Sequence, residues 1–302
     1  MTIQEEIQQL KEEKNAVILA HYYVKPEVQE IADYIGDSYF LSKKAVELEQ
    51  QTIVFCGVSF MGESTKLLNP QKNVLMPEPT ADCPMAHMVD KAVVDAARAE
   101  YEDLAVVCYI NSTAEIKSWS DVCVTSANAV KIVKNLPNKN ILFIPDRNLG
   151  HYVASQVPEK KFLYNEGYCP RHEFMSAEEI AELKKEHPKA EVLVHPECNG
   201  DIIKQADYIG STSGIIEYAK NSSSDEFIIG TVMGVIYKLK QVREDAKFYF
   251  PKTDPICINM DKITLEHVRH VLQSNENQVS MPEEAVARQA EKTLSRMLEL
   301  AK

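Results

Sequence analysis

Three of the seven cysteines in this 302-residue chain are evenly placed: Cys83, Cys169 and Cys257 lie 86 and 88 residues apart. Three thiolates are one ligand short of a closed tetrahedral structural site. They suit a centre with one open position, either zinc with three sulfurs and a water or an iron–sulfur cluster in which one iron lacks a protein ligand. An open iron of that kind acts as a Lewis acid on a substrate hydroxyl or carbonyl. Cys83 and Cys169 are each followed by proline, and all three cysteines follow strand-like runs, which places them in loops. Duplication of a buried packing cysteine would leave the same spacing, but packing cysteines belong inside strands. Cys56, Cys108 and Cys123 do lie inside apolar runs and read as core, and Cys198 stands beside Glu197 as a wall of the same region.

Other residues with chemistry sit near the ends of predicted strands. Val194-His195-Pro196-Glu197 presents an imidazole and a carboxylate where proline bars a helix, and Glu197 is placed to act as general base or acid. His21-Tyr22-Tyr23 and Tyr109-Ile110-Asn111-Ser112-Thr113 offer ring and amide groups that bind carboxylate or phosphate oxygens. His172, three residues beyond Cys169, approaches whatever Cys169 binds. Ser38, Ser126 and Thr212 stand where a short strand meets a helix, as helix caps or as an anion site at a helix N-terminus.

The elements that carry these residues repeat. Ala32-Asp-Tyr-Ile-Gly-Asp-Ser38 returns as Ala206-Asp-Tyr-Ile-Gly-Ser-Thr212, with a weaker copy at Ser120-Asp-Val-Cys-Val-Thr-Ser126. With Asp33, Asp121 and Asp207 as anchors, His21, Tyr109 and His195 fall twelve residues before them, and Ser38, Ser126 and Thr212 five residues after. Runs such as Ala16–Ala20, Thr52–Cys56 and Val74–Met76 read as buried strands, with helices at 26–33, 40–50 and 60–68 between them, the pattern of parallel βαβ units. The spacing predicts three similar αβα domains with small parallel sheets about a pseudo-threefold axis: 1–85, 86–172 and 173–261, with the tail 262–302 packing back on the first. In each, a third strand leads to the cysteine loop. Ligands in open parallel sheets bind beyond the carboxyl ends of the strands, so all three sets of loops converge on one central site.

Composition removes several function classes. The net charge of −12 argues against nucleic acid or an anionic membrane as partner. Clean apolar runs such as 105–110 are far shorter than the ~20 residues of a membrane helix. The N-terminus reads as an acidic amphipathic helix with Ile3, Ile7 and Leu10 on one face rather than as a signal peptide. Only 10 glycines occur, with no G-x-G-x-x-G and no Walker A loop, so neither a dinucleotide-binding domain nor a P-loop NTPase is expected. An odd cysteine count without C-x-x-C argues against a disulfide framework and for a reducing, cytoplasmic setting. From the residues alone, a zinc-dependent hydrolase or lyase and a non-catalytic iron–sulfur sensor stand beside the cluster enzyme as readings. A sensor would call for a partner or DNA-binding module, and no basic patch is evident.

The motifs together resemble the quinolinate synthase family, over essentially the whole chain. They are Ile18-Leu-Ala-His-Tyr-Tyr23, Ala32–Ser38, Asp82-Cys-Pro-Met-Ala86, Tyr109–Thr113, Thr125-Ser-Ala-Asn-Ala129, Pro145-Asp-Arg-Asn-Leu-Gly150, Gly167-Tyr-Cys-Pro-Arg-His172, Val194-His-Pro-Glu-Cys198, Gly210-Ser-Thr212 and Cys257-Ile-Asn-Met260. The resemblance implies a transferase of NAD (pyridine nucleotide) biosynthesis that condenses iminoaspartate with dihydroxyacetone phosphate, releasing phosphate and two waters to form quinolinate. It implies a 4Fe–4S cluster on Cys83, Cys169 and Cys257, with the fourth iron open to substrate. It implies catalytic roles for Glu197, Tyr23, His195 and His21, and substrate binding by His21, Ser38, Tyr109, Asn111, Ser126, His172, His195, Glu197 and Thr212. An oxidase or dehydrogenase that supplies iminoaspartate is an implied partner. This chain departs from the family where Gly-Thr-Glu and a later histidine are usual: it has Gly230-Thr-Val232 and Tyr237, and it reads His21-Tyr22-Tyr23 in place of His-Asn-Tyr. The paired C-terminal cysteines of one branch are absent from this sequence.

Overall fold

Ala16–His21 is apolar up to its last residue and buried at every position, which is how a strand covered on both faces by helices must read. The computed structural model, which describes residues 1–253 and 255–302, builds three such strands into three four-stranded, all-parallel sheets. The first holds β1 (Ala16–His21), β2 (Tyr34–Gly36), β3 (Thr52–Cys56) and β4 (Asn73–Leu75) in the order β2-β1-β3-β4. The second repeats that order with β5 (Leu104–Tyr109), β6 (Val122–Val124), β7 (Asn140–Ile144) and β8 (Lys161–Tyr164) as β6-β5-β7-β8. The third does so with β9 (Glu191–Val194), β10 (Tyr208–Ile209), β11 (Glu226–Gly230) and β12 (Lys247–Tyr249) as β10-β9-β11-β12. The α/β class and the threefold repeat read from the sequence are therefore those of the structure. One detail is corrected: the cysteine loops follow the fourth strand of each unit, not the third. The strands β2, β6 and β10 have only two or three residues, too few for a period-2 pattern to show.

The three anchoring aspartates do the same work in each unit. Asp33, Asp121 and Asp207 each donate a backbone N–H to the first strand of the unit, to Ile18, Val106 and Val192, at 2.9 Å. Each returns a carboxylate oxygen to the N–H of that same residue, at 2.8, 2.7 and 2.8 Å. This clamp fixes the register between the first strand and the short second strand, and so fixes where the first strand ends. Asp121→Ala removes the acceptor from the Val106 N–H, and we expect it to cost about 1–3 kcal/mol. Urea unfolding of the variant checks this, and a loss below about 0.5 kcal/mol would make the shared aspartate incidental.

The cores are unequal. The first and second units share one continuous apolar cluster, which also takes in the C-terminal helices. Helix Leu265–Ser274 packs on the N-terminal helix Ile3–Glu13, and helix Glu284–Leu300 lies against Ala114–Ser118 and β6 as well as Ser59–Leu68. The third unit has its own clusters on the two faces of its sheet: Leu193, Phe227 and Ile229 point one way, Val192, Val194 and Ile228 the other. Tyr22 of the first unit plugs into one of them. No helix among the described residues is long and apolar enough to cross a membrane.

Candidate active site

The chain leaves β1, β5 and β9 at His21, Tyr109 and just before His195, and the three rings are buried. Two of these exits are built identically. The Tyr23 N–H donates to His21 Nδ1 at 3.2 Å, and the Glu197 N–H donates to His195 Nδ1 at 3.3 Å. With Nδ1 occupied as an acceptor, each neutral imidazole carries its proton on Nε2, and His195 directs it at Ser126 Oγ, 3.1 Å away. Burial drives both histidines down to about 3, so they are uncharged donors at neutral pH. The turn also makes Tyr23, Asn111 and Glu197 equivalent, each two residues past its ring. This shared offset is the sequence signal that ties Tyr23 and Asn111 to Glu197.

All thirteen residues singled out above line one cavity, about 880 Å³ counted out to the solvent at its mouth. The first unit contributes His21, Tyr23, Ser38 and Cys83, the second Tyr109, Asn111, Ser126, Cys169 and His172, and the third His195, Glu197, Thr212 and Cys257. Cys198 is not among the lining residues, and its Sγ donates to the Gly230 carbonyl at 3.2 Å. The hydroxyls Ser38 and Thr212 are not helix caps. Asp37 accepts from Phe40 N at 3.0 Å and Ser211 from Gly214 N at 3.1 Å, each one residue earlier, and the next hydroxyl faces the cavity. Ser126 stands two residues before Asn128, the N-cap of the following helix, and does not cap it either. Arg171 and Asp37 also line the space without having been singled out.

Glu197 is the electrostatic centre. Its Oε2 lies 2.7 Å from His172 Nδ1 and 3.8 Å from His195 Nδ1, and Asn148 Nδ2 holds its carbonyl at 3.0 Å. Burial alone would raise its pKa, but the neighbouring histidines and hydrogen bonds from His172 and Tyr109 bring it down to about 2. Hydrogen bonds from His172 and Tyr109 hold the carboxylate directly. Tyr23 and Tyr109 are raised by burial first and by the Glu197 charge second. His172 is buried and stacks on His195, with ring centroids 4.9 Å apart. Asn111 Oδ1 is buried and has no hydrogen-bond partner among the described residues.

The three cysteines share a local design. Each starts a short helical turn, its carbonyl accepting from Ala86, Glu173 or Asp261 at 2.9 Å. Backbone N–H groups of these turns also point at the sulfurs: Met85 and Ala86 at Cys83, His172 at Cys169, Asn259 and Met260 at Cys257. Such donors stabilise thiolates, yet burial keeps the thiols raised, helped by the charges of Cys257 and Glu197 at Cys83 and of Glu197 and Cys83 at Cys169. The donor set thus fits a bound cation or cluster, which would offset the charge that burial disfavours. His172 Nδ1 also approaches Cys169 Sγ, at 3.2 Å.

Comparison with known proteins decides the family. The family model described as quinolinate synthetase A protein matches residues 5–299. The chain belongs to this family. It is 49% identical to the quinolinate synthase of Clostridioides difficile (strain 630), over 98% of this chain and 96% of that protein. It is 50% identical to those of Caldicellulosiruptor saccharolyticus, over 99% and 98%, and Fusobacterium nucleatum subsp. nucleatum, over 99% of each. Membership makes the protein an enzyme of NAD biosynthesis and establishes the resemblance drawn from the motifs. Of the departures noted from the resemblance, Val232 lines the cavity, so an apolar side chain stands where the resemblance leads one to expect a carboxylate. Tyr237 lies outside, on a surface groove of the third unit.

Proposed function

We propose that this protein condenses iminoaspartate with dihydroxyacetone phosphate in the central cavity, forming quinolinate with release of phosphate and two waters. The observation that supports this most is the convergence, from three separate sheets, of three cysteines and a buried carboxylate–histidine pair on one space. Cys83, Cys169 and Cys257 would hold a 4Fe–4S cluster, supplying when bound an open iron that acts as a Lewis acid on a substrate oxygen. Glu197 would accept protons during enolisation and dehydration, with Tyr23, His195 and His21 positioning substrate or moving protons. Ser38, Ser126 and Thr212 would receive carboxylate or phosphate oxygens, together with the uncharged Nε2–H donors of His21 and His195. Tyr109, Asn111 and His172 would complete the substrate contacts. The domain limits 1–85, 86–172 and 173–261 belong to this reading. So does a reducing, cytoplasmic setting, consistent with seven unpaired cysteines, and a partner oxidase or dehydrogenase supplying iminoaspartate.

One observation favours a second reading of the donor set. Ligand atoms of Cys169, His172 and Glu197 all lie within 4.8 Å of one another, a spacing that also suits a single zinc ion. Anaerobic purification separates the two. Iron and sulfide with quinolinate formed from the two substrates supports the cluster enzyme, and stoichiometric zinc without sulfide rejects it. Within the cluster reading, Asn111→Ala should raise KM about tenfold with a smaller change in kcat, since one substrate hydrogen bond is worth about 1–2 kcal/mol. An unchanged KM would remove Asn111 from substrate binding.

A further inference from the structure

Thr231 is fully buried just beyond the end of β11, and it is not among the residues lining the cavity. Its single hydroxyl nevertheless touches a site residue from each of the other two units. Oγ1 lies 2.8 Å from His172 Nε2 and 2.7 Å from Tyr23 Oη. Tyr23 Oη is in turn 2.7 Å from Thr212 Oγ1, and His172 Nδ1 is 2.7 Å from Glu197 Oε2. The five groups form an unbroken hydrogen-bonded chain from Glu197 through His172, Thr231 and Tyr23 to Thr212. The fold supports the close approach that this needs. The Gln29 side chain donates to the Gly234 carbonyl at 3.0 Å, and a Cβ on Gly234 would stand 2.7 Å from Tyr23 Cα.

We propose that Thr231 is a positioning residue, whose hydroxyl orients the Tyr23 phenol and braces His172 against Glu197. One hydroxyl thus holds both rings, and neither can turn without breaking a bond to it. The sequence offers no sign of the arrangement, because Thr231 is 59 residues from His172 and 208 from Tyr23.

The inference rests on the reading of Glu197 and Tyr23 as groups at the reacting substrate. Its test is steady-state kinetics of the anaerobically purified, iron-loaded enzyme. Thr231→Val keeps the shape and removes the hydroxyl, and we expect kcat to fall about 10–100-fold with KM within about threefold and iron content unchanged. Thr231→Ser restores the hydroxyl and should return kcat to within about threefold of the parent. If Thr231→Val does not fold, Thr231→Ala is judged by the same limits. Because part of the effect runs through Tyr23, the double variant with Tyr23→Phe should lose clearly less than the product of the two single losses. A Val variant within threefold of the parent, a Ser variant as slow as Val, or losses that multiply in the double variant would each overturn the proposal. A parent enzyme that makes no quinolinate overturns the functional reading instead. The crystal structure of Thr231→Val then decides this inference, and Tyr23 and His172 in unmoved positions would reject it.

Discussion

Alanine at Cys83, Cys169 or Cys257 should abolish bound iron, sulfide, the broad visible absorbance of an iron–sulfur protein and all turnover. Each sulfur comes from a different unit, at the start of its own short turn, so no neighbouring cysteine can replace it. The nearest in sequence to the site, Cys198, spends its thiol on the Gly230 carbonyl. Cys56 closes β3, and Cys108 and Cys123 face each other across β5 and β6, buried in the sheet. Alanine at these three or at Cys198 should leave iron content near that of the parent. Burial raises all three cavity thiols, so each holds its proton in the empty protein and releases it on ligation. Loading of iron-free protein should therefore become more favourable as pH rises from about 7 to 9. Iron retained by Cys257→Ala but lost by Cys198→Ala would mean that the ligand set is wrong.

The features that were readable in the sequence are those the duplication preserved. Asp33, Asp121 and Asp207 keep their spacing because each clamps the same strand amide, and that clamp sets the ring positions twelve residues earlier. What escaped was set by tertiary contact. The strand β10 is two residues long and exists only because β9 pairs with it. The hydroxyls of Ser38 and Thr212 looked like caps because nothing local shows that Asp37 and Ser211 take that role first. His172 could have been a surface-loop residue by its surroundings in sequence, and it is buried because the third unit closes over it through Thr231 and Glu197. Local pattern finds the ends of strands, but it does not say which ends will meet.

Glu197→Gln should lower kcat by about 10²–10⁴-fold, the span usual for loss of a general acid–base group, with iron content unchanged. The carboxylate receives His172 Nδ1–H at 2.7 Å and the Tyr109 hydroxyl. Glutamine replaces one of its two acceptor oxygens with an NH2 donor, so any donor that faces this NH2 is left buried and unsatisfied. The variant therefore loses the proton acceptor and also the ordering of His172. The sign of the pH dependence follows from the depressed carboxyl. With a pKa of about 2 in the folded protein, the parent is ionised across about pH 6–9, so the ratio of parent to variant should stay flat there. So low a value makes the resting carboxylate a weak base. Its strength as a base must rise when substrate displaces the Tyr109 hydroxyl or shifts His172. Tyr109→Phe, which removes one of the two donors without touching the carboxylate, should therefore cost less kcat than Glu197→Gln and act mainly through KM. Turnover of Glu197→Gln within a few fold of the parent would leave the carboxylate with a structural role only.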